Sequence, residues 1–171
     1  MFLLETIKPG EATGPVAEAY SIFPPEIGVI PPLELLSASP GMLAIHTRSL
    51  RYFMSHPNLS APLLAAIRYV SAAKSGHPFC EPFNGGLLTR MGATPDSLGK
   101  LTSEQDSVLE PREAALLAFV AKALEAPASV TQDDIEGLRA RDYLDSDIYD
   151  ALAHAANMVA VSVMYKTFVR E

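Results

Sequence analysis

Fourteen prolines divide this chain into a stretch that cannot hold long helices and a stretch that can, because proline inside a helix removes a backbone donor and clashes with the preceding turn. Pro9, Pro15, Pro24, Pro25, Pro31, Pro32 and Pro40 crowd the first forty residues. That segment reads as an irregular arm over residues 1–40, with short helices expected over 17–23 and 33–37. Beyond it, Met42, Leu43, Ile45, His46, Leu50 and Phe53 recur at helical spacing until Pro57, which predicts a first core helix.

The remaining prolines fall where helices tolerate them. Ser60 can cap a helix from Ala61 to about Ser75, with Pro62 in its opening turn and Gly76-His77-Pro78 ending it. The next helix begins near Phe79 or Cys80 and runs to about Met91, with Pro82 still in the first turn. Thr94-Pro95 and Thr102 open short connecting turns, and Pro111 starts a strong helix carrying Ala114, Leu117, Val120 and Leu124 that Pro127 follows. Thr131 with Asp134 three residues on forms a capping-box pattern. Asp145 precedes a last helix, with Asp147 at its positive end. No alternating β-branched run argues for a strand, so the chain is expected to be all-α and a single domain over 1–171, with a helical core over 41–171.

Apolar residues make up 49% of the chain, enough for one substantial core. Thirteen basic residues against 20 acidic give a formal charge of −7, which repels phosphate backbones and anionic headgroups; neither nucleic acid nor a membrane surface is an expected partner. The opening Met1-Phe2-Leu3-Leu4 meets Glu5 and then Pro9-Gly10, without the basic start or apolar length of a secretory signal, and a cytoplasmic location is expected. Cys80 is the only cysteine, so any redox chemistry must be single-cysteine or intermolecular.

The stretch over residues 151–168 is the most apolar, but His154, Asn157, Ser162 and Lys166 interrupt it. A bilayer span needs about 20 predominantly apolar residues, so a buried helix is the better reading. Alanines at 151, 153, 155, 156 and 160 permit close approach of another helix, from the same domain or from a second subunit.

Around the cysteine, Ala65 and Arg68 lie on one helix, Gly76-His77-Pro78 makes the turn, and Cys80, Glu81 and Asn84 with Gly85-Gly86 lie on the next. This layout resembles the helix-turn-helix of the alkylhydroperoxidase D-like family, also called the carboxymuconolactone decarboxylase family, whose active members carry a glutamate on the first helix and C-x-x-C-x-x-x-H across the turn. Cys80 falls on the second, peroxide-reacting cysteine. His77 replaces the first cysteine, Asn84 the histidine and Ala65 the glutamate. The stretches Gly14 to Tyr20, Gly28-Val29-Ile30-Pro31 and Ser39 to Leu43 look like the arm of the peroxidase-related branch, and Ala114 to Ala123, Pro127 to Thr131 and Asp145 to Phe168 look like its C-terminal helices. The resemblance implies an all-α helical bundle, a homo-oligomer built through the C-terminal helices, and no cofactor or metal.

Three functions follow as expectations. The sharpest is a weak single-cysteine thiol peroxidase or redox sensor: Cys80 at a helix N-terminus is the nucleophile, His77 its activator, and an external thiol the reductant. Glu81 beside the thiol opposes ionisation if its carboxylate turns inward. The alternative is a non-catalytic, small-molecule-binding or purely oligomeric protein that has lost the cysteine pair, histidine and glutamate. A cofactor-free decarboxylase or isomerase, using His77, Asn84 and Arg68, is third. Arg68 lies close to the cysteine-facing turn of its helix, where it suits an acidic ligand or an acidic side chain. Asp150 and His154, four apart on the last helix, are expected to form an ion pair or hydrogen bond, since two ligands alone do not make a metal site.

Overall fold

The computed structural model describes residues 1–102 and 108–170, and the chain divides into two compact units. The first comprises Met1–His56 with Val163–Glu171, and the second Pro57–Ser162. Among the described residues there are nine α-helices and two short 3-10 turns, and the one β contact is an isolated antiparallel bridge between Phe2 and Val169. The all-α expectation is met.

In the first unit α1 spans Gly14–Tyr20, α2 Pro31–Leu36 and α3 Pro40–Met54. The helices expected over 17–23 and 33–37 are each displaced toward the N-terminus. The cause is the same in both: Pro15, and Pro31 with Pro32, sit in the opening turn, where the missing N–H has no helical partner to lose. The arm is nonetheless ordered by its own packing. Val16, Ala19 and Tyr20 from α1 bury against Leu33 and Leu43, and the Tyr20 hydroxyl donates to the Ile7 carbonyl at 2.6 Å. The Ile7 N–H in turn donates to Ser37 Oγ at 2.7 Å.

The second unit holds α4 (Ala61–Ser75), α5 (Cys80–Arg90), α6 (Pro95–Leu98), α7 (Pro111–Glu125), α8 (Gln132–Arg139) and the part of α9 (Asp145–Phe168) up to Ser162. α4 packs against α5 and α7, and the consecutive residues 63–67 are all buried, so this stretch of α4 is enclosed all round. Ser60 caps α4 by accepting from the Leu63 N–H at 3.2 Å, and its hydroxyl donates to Glu113 Oε1 on α7 at 2.5 Å. Thr94-Pro95, expected as a turn, opens the four-residue α6, because Thr94 and Ser97 complete a reciprocal capping box. Thr131 and Asp134 do the same for α8.

The last helix starts at Asp145 itself instead of after it. Asp145 pairs with Arg139 at 2.8 Å, and it is the buried Asp147 that accepts the Leu144 N–H at 2.9 Å and the Asn58 amide at 3.1 Å. Within the second unit, Ile148, Ala151, His154, Ala155, Met158 and Ser162 form the buried face of α9, while Tyr149, Ala156 and Ala160 are exposed. Among the described residues no helix is long and apolar enough to cross a membrane.

Candidate functional site

The turn between α4 and α5 sets the site. α4 ends on Gly76 in the left-handed region, φ 62°, a conformation that costs any residue with a Cβ. The His77 N–H then reaches back to the Ala72 carbonyl at 2.9 Å and the Gly76 N–H to that of Ala73 at 3.1 Å, the paired bonds of a Schellman ending. This reversal turns the chain inward, and His77 is wholly buried, with 0% exposure.

The His77 ring faces the start of α5. Its Nδ1 accepts from the Phe79 N–H at 3.3 Å and from the Cys80 N–H at 3.2 Å. That nitrogen therefore carries a lone pair, and the ring proton of the neutral histidine sits on Nε2. In this role His77 is a side-chain cap for α5, doing for two free amides what serine or aspartate does elsewhere.

Cys80 is the first residue of α5, as the turn pattern predicted, and is 4% exposed. It packs among Ala72, Met158 and Phe79. Burial pushes the thiol up to about 12 from an ordinary 9.0, with the nearby Arg68 charge opposing. The first amides of this helix end, the groups that favour a thiolate, are turned to His77. Glu81, next along α5, is half-buried.

Asn84 and Arg68 form the polar part of the site. Asn84 is 1% exposed; its amide donates to the Cys80 carbonyl at 2.7 Å and its Oδ1 accepts from Arg68 Nε at 2.8 Å. Arg68 Nη1 lies 3.1 Å from His154 Nε2. A guanidinium has no acceptor, so His154 must receive this bond, with its own proton on Nδ1. Arg68 retains some solvent exposure along its length, yet its charged end is crowded enough that burial lowers it to about 10, with Cys80 opposing the shift. Ala65 is buried in α4 with no polar group to offer.

The arrangement thus brings Cys80, His77, Asn84 and Arg68 together across α4 and α5, and adds His154 from α9. Sequence reading associated His154 with Asp150 only; its meeting with Arg68, 86 positions away, comes from the packing of α9 and left no local signal. The double glycine on α5 splits in role. A Cβ on Gly85 would sit 3.2 Å from the Tyr69 ring on α4, whereas one on Gly86 would meet nothing within 4 Å. Among the described residues no group of three or more His, Cys, Asp or Glu side chains is placed to hold a metal ion.

No protein-family model and no curated protein matches the chain. Solved structures do. A crystal structure described as an alkylhydroperoxidase AhpD core, an uncharacterized peroxidase-related protein from Ralstonia eutropha, superposes with a TM-score of 0.78 at 18% identity, covering 96% of this chain and 88% of its own. An uncharacterized peroxidase-related protein from a Silicibacter species gives a TM-score of 0.74 at 19% identity, with 98% and 92% covered. Both likenesses run over nearly the whole length of each partner. The chain therefore has the all-α fold of the alkylhydroperoxidase AhpD core and its peroxidase-related structural neighbours.

Proposed function

We propose that this protein is a small-molecule-binding member of that fold in which the cysteine has become a packing residue. The observation that carries the reading is the condition of Cys80, 4% exposed against Ala72, Phe79 and Met158, with a thiol pushed up to about 12. A peroxidatic cysteine reacts as its thiolate and must meet the oxidant. With such a value, roughly one thiol in 10⁵ is ionised at neutral pH. What persists beside the silent sulfur is a polar cluster, Arg68, Asn84 and His154, whose donors suit recognition of a small ligand. Exposure to a modest excess of hydrogen peroxide, followed by mass spectrometry of the peptide containing Cys80, tests the reading. An unmodified thiol is expected; rapid gain of one oxygen at Cys80 would remove it.

The competing reading keeps the thiol active as a single-cysteine peroxidase or sensor, and one observation favours it. Cys80 opens α5 and has the Arg68 charge nearby. In that chemistry the thiolate attacks the peroxide, leaving a sulfenic acid and an alcohol or water, and an external thiol must supply two electrons to restore the sulfur. The same peroxide experiment separates the two.

The proposal extends to assembly. The open face of α9 presents Tyr149, 75% exposed, with Ala156 and Ala160 exposed about two and three turns further along, a surface on which a second copy packs closely. Light scattering of the protein and of Tyr149→Lys tests this, with a homo-oligomer weakened by the substitution as the expected result.

A further inference from the structure

The chain carries a surplus of seven negative charges, yet Arg68 has no carboxylate partner among the described residues. Its protein contacts are Asn84 Oδ1 at Nε and His154 Nε2 at Nη1, both neutral acceptors. Among the described residues no acidic side chain contributes to its electrostatic surroundings, where Cys80 is the group that opposes the effect of burial. Cys80 does not neutralise it, because the thiol holds its proton to about pH 12. A crowded cation without a counter-charge is costly, and folds ordinarily satisfy it with an acid.

The two contacts also fix which donors remain. A guanidinium offers five N–H groups in a rigid fork. With Nε turned to Asn84 and one Nη1 donor to His154, the second Nη1 N–H and both on Nη2 have no protein acceptor among the described residues. Asn84 is itself anchored on the Cys80 carbonyl at 2.7 Å, so the fork is oriented from both sides before any ligand arrives. Such preorganisation suits a planar, two-oxygen anion, which takes two parallel N–H bonds from one guanidinium.

We propose that Arg68, oriented by Asn84 and His154, is the anion-recognition group of this site and that the ligand is a small molecule bearing a carboxylate. This rests on the small-molecule-binding reading above and names the ligand class for it. Arg68 supplies charge and the bidentate fork, while Asn84 and His154 are positioning residues that hold its plane.

The test is a thermal-shift and calorimetric titration with acetate, butyrate and benzoate, each against its neutral amide, at constant ionic strength in chloride. A saturable stabilisation by at least one carboxylate and by none of the amides is expected. Arg68→Gln should weaken that binding by about ten-fold or more, since a charge-assisted bidentate contact is lost. Arg68→Lys should fall between them, keeping charge but not the fork. Should Arg68→Gln fail to fold, Asn84→Ala, which frees the Nε side, should still weaken carboxylate binding. No response to any of the three carboxylates, equal responses to acids and amides, or undiminished binding in the Arg68 variants would overturn the proposal. Repeating the titration in Cys80→Ala keeps this outcome separate from the peroxide experiment: a reactive thiol would sink the non-peroxidatic reading while the Arg68 result stood on its own.

Discussion

The Nδ1 of His77 accepts the backbone N–H of Cys80 at 3.2 Å, so the buried histidine of the turn works on the helix that carries the cysteine. Its contact is with the amide of Cys80 and not with a proton on the sulfur, which makes it a cap in this structure. His77→Ala should therefore lower stability by about 2 kcal/mol or more, from a lost cap and a buried void together. Chemical denaturation measures it. His77→Asn, which can accept from the same amides, should recover part of the loss.

Cys80 predicts an alkaline weakness. Its folded-state value of about 12 stands above the ordinary 9.0, so the folded state holds the proton more tightly than the unfolded chain. The stabilisation is fully present below about pH 9 and is lost as pH rises toward about 12, amounting to an order of 4 kcal/mol. Cys80→Ala should flatten this limb when unfolding free energy is followed against pH. The thiolate absorbance of the native protein should remain absent well past pH 9.

Asp134 predicts the opposite limb. The Lys122 ammonium and the Thr131 backbone and side-chain donors hold its carboxyl down at about 2. A depressed carboxyl stabilises above its unfolded value of 3.8 and loses that contribution as pH falls from there toward about 2. Asp134→Asn should shift the acid-unfolding midpoint upward least where Lys122 is also replaced by Met, because the ion pair at 2.6 Å is then already gone. Thr131→Ala should cost about 1 kcal/mol through the cap alone.

Three glycines around the turn should respond differently to alanine. Gly76 at φ 62° should lose about 1–2 kcal/mol. Gly86, exposed within α5 with open space at its Cβ position, should gain about 0.5–1 kcal/mol from helix propensity. Gly85 should fall below Gly86, since the Tyr69 ring at 3.2 Å must give way. Thermal melts of the three variants rank them.

Much of this architecture was legible because its punctuation is local. Ser60, Pro62 and Gly76 bound α4, and Thr131 with Asp134 opens α8, each by a rule that acts within four residues. The arm was harder: Pro31 and Pro32, expected to lie just before a short helix over 33–37, form the opening turn of α2 itself. The position of Cys80 at a helix start could be read as well, but not the direction of the amides there, which depends on the rotation of the His77 ring. Arg68 was a plausible anion-binding residue in the sequence. That its described neighbours would be an amide and a histidine follows from how α4, α5 and α9 meet, and no spacing rule conveys that.

The sealed position of Cys80 has a practical side. A protein whose single native sulfhydryl is 4% exposed and reluctant to ionise will ignore maleimide reagents under mild conditions. One cysteine engineered at an exposed site, such as position 54 at the end of α3, would then take a fluorophore or spin label alone, without first removing the natural thiol.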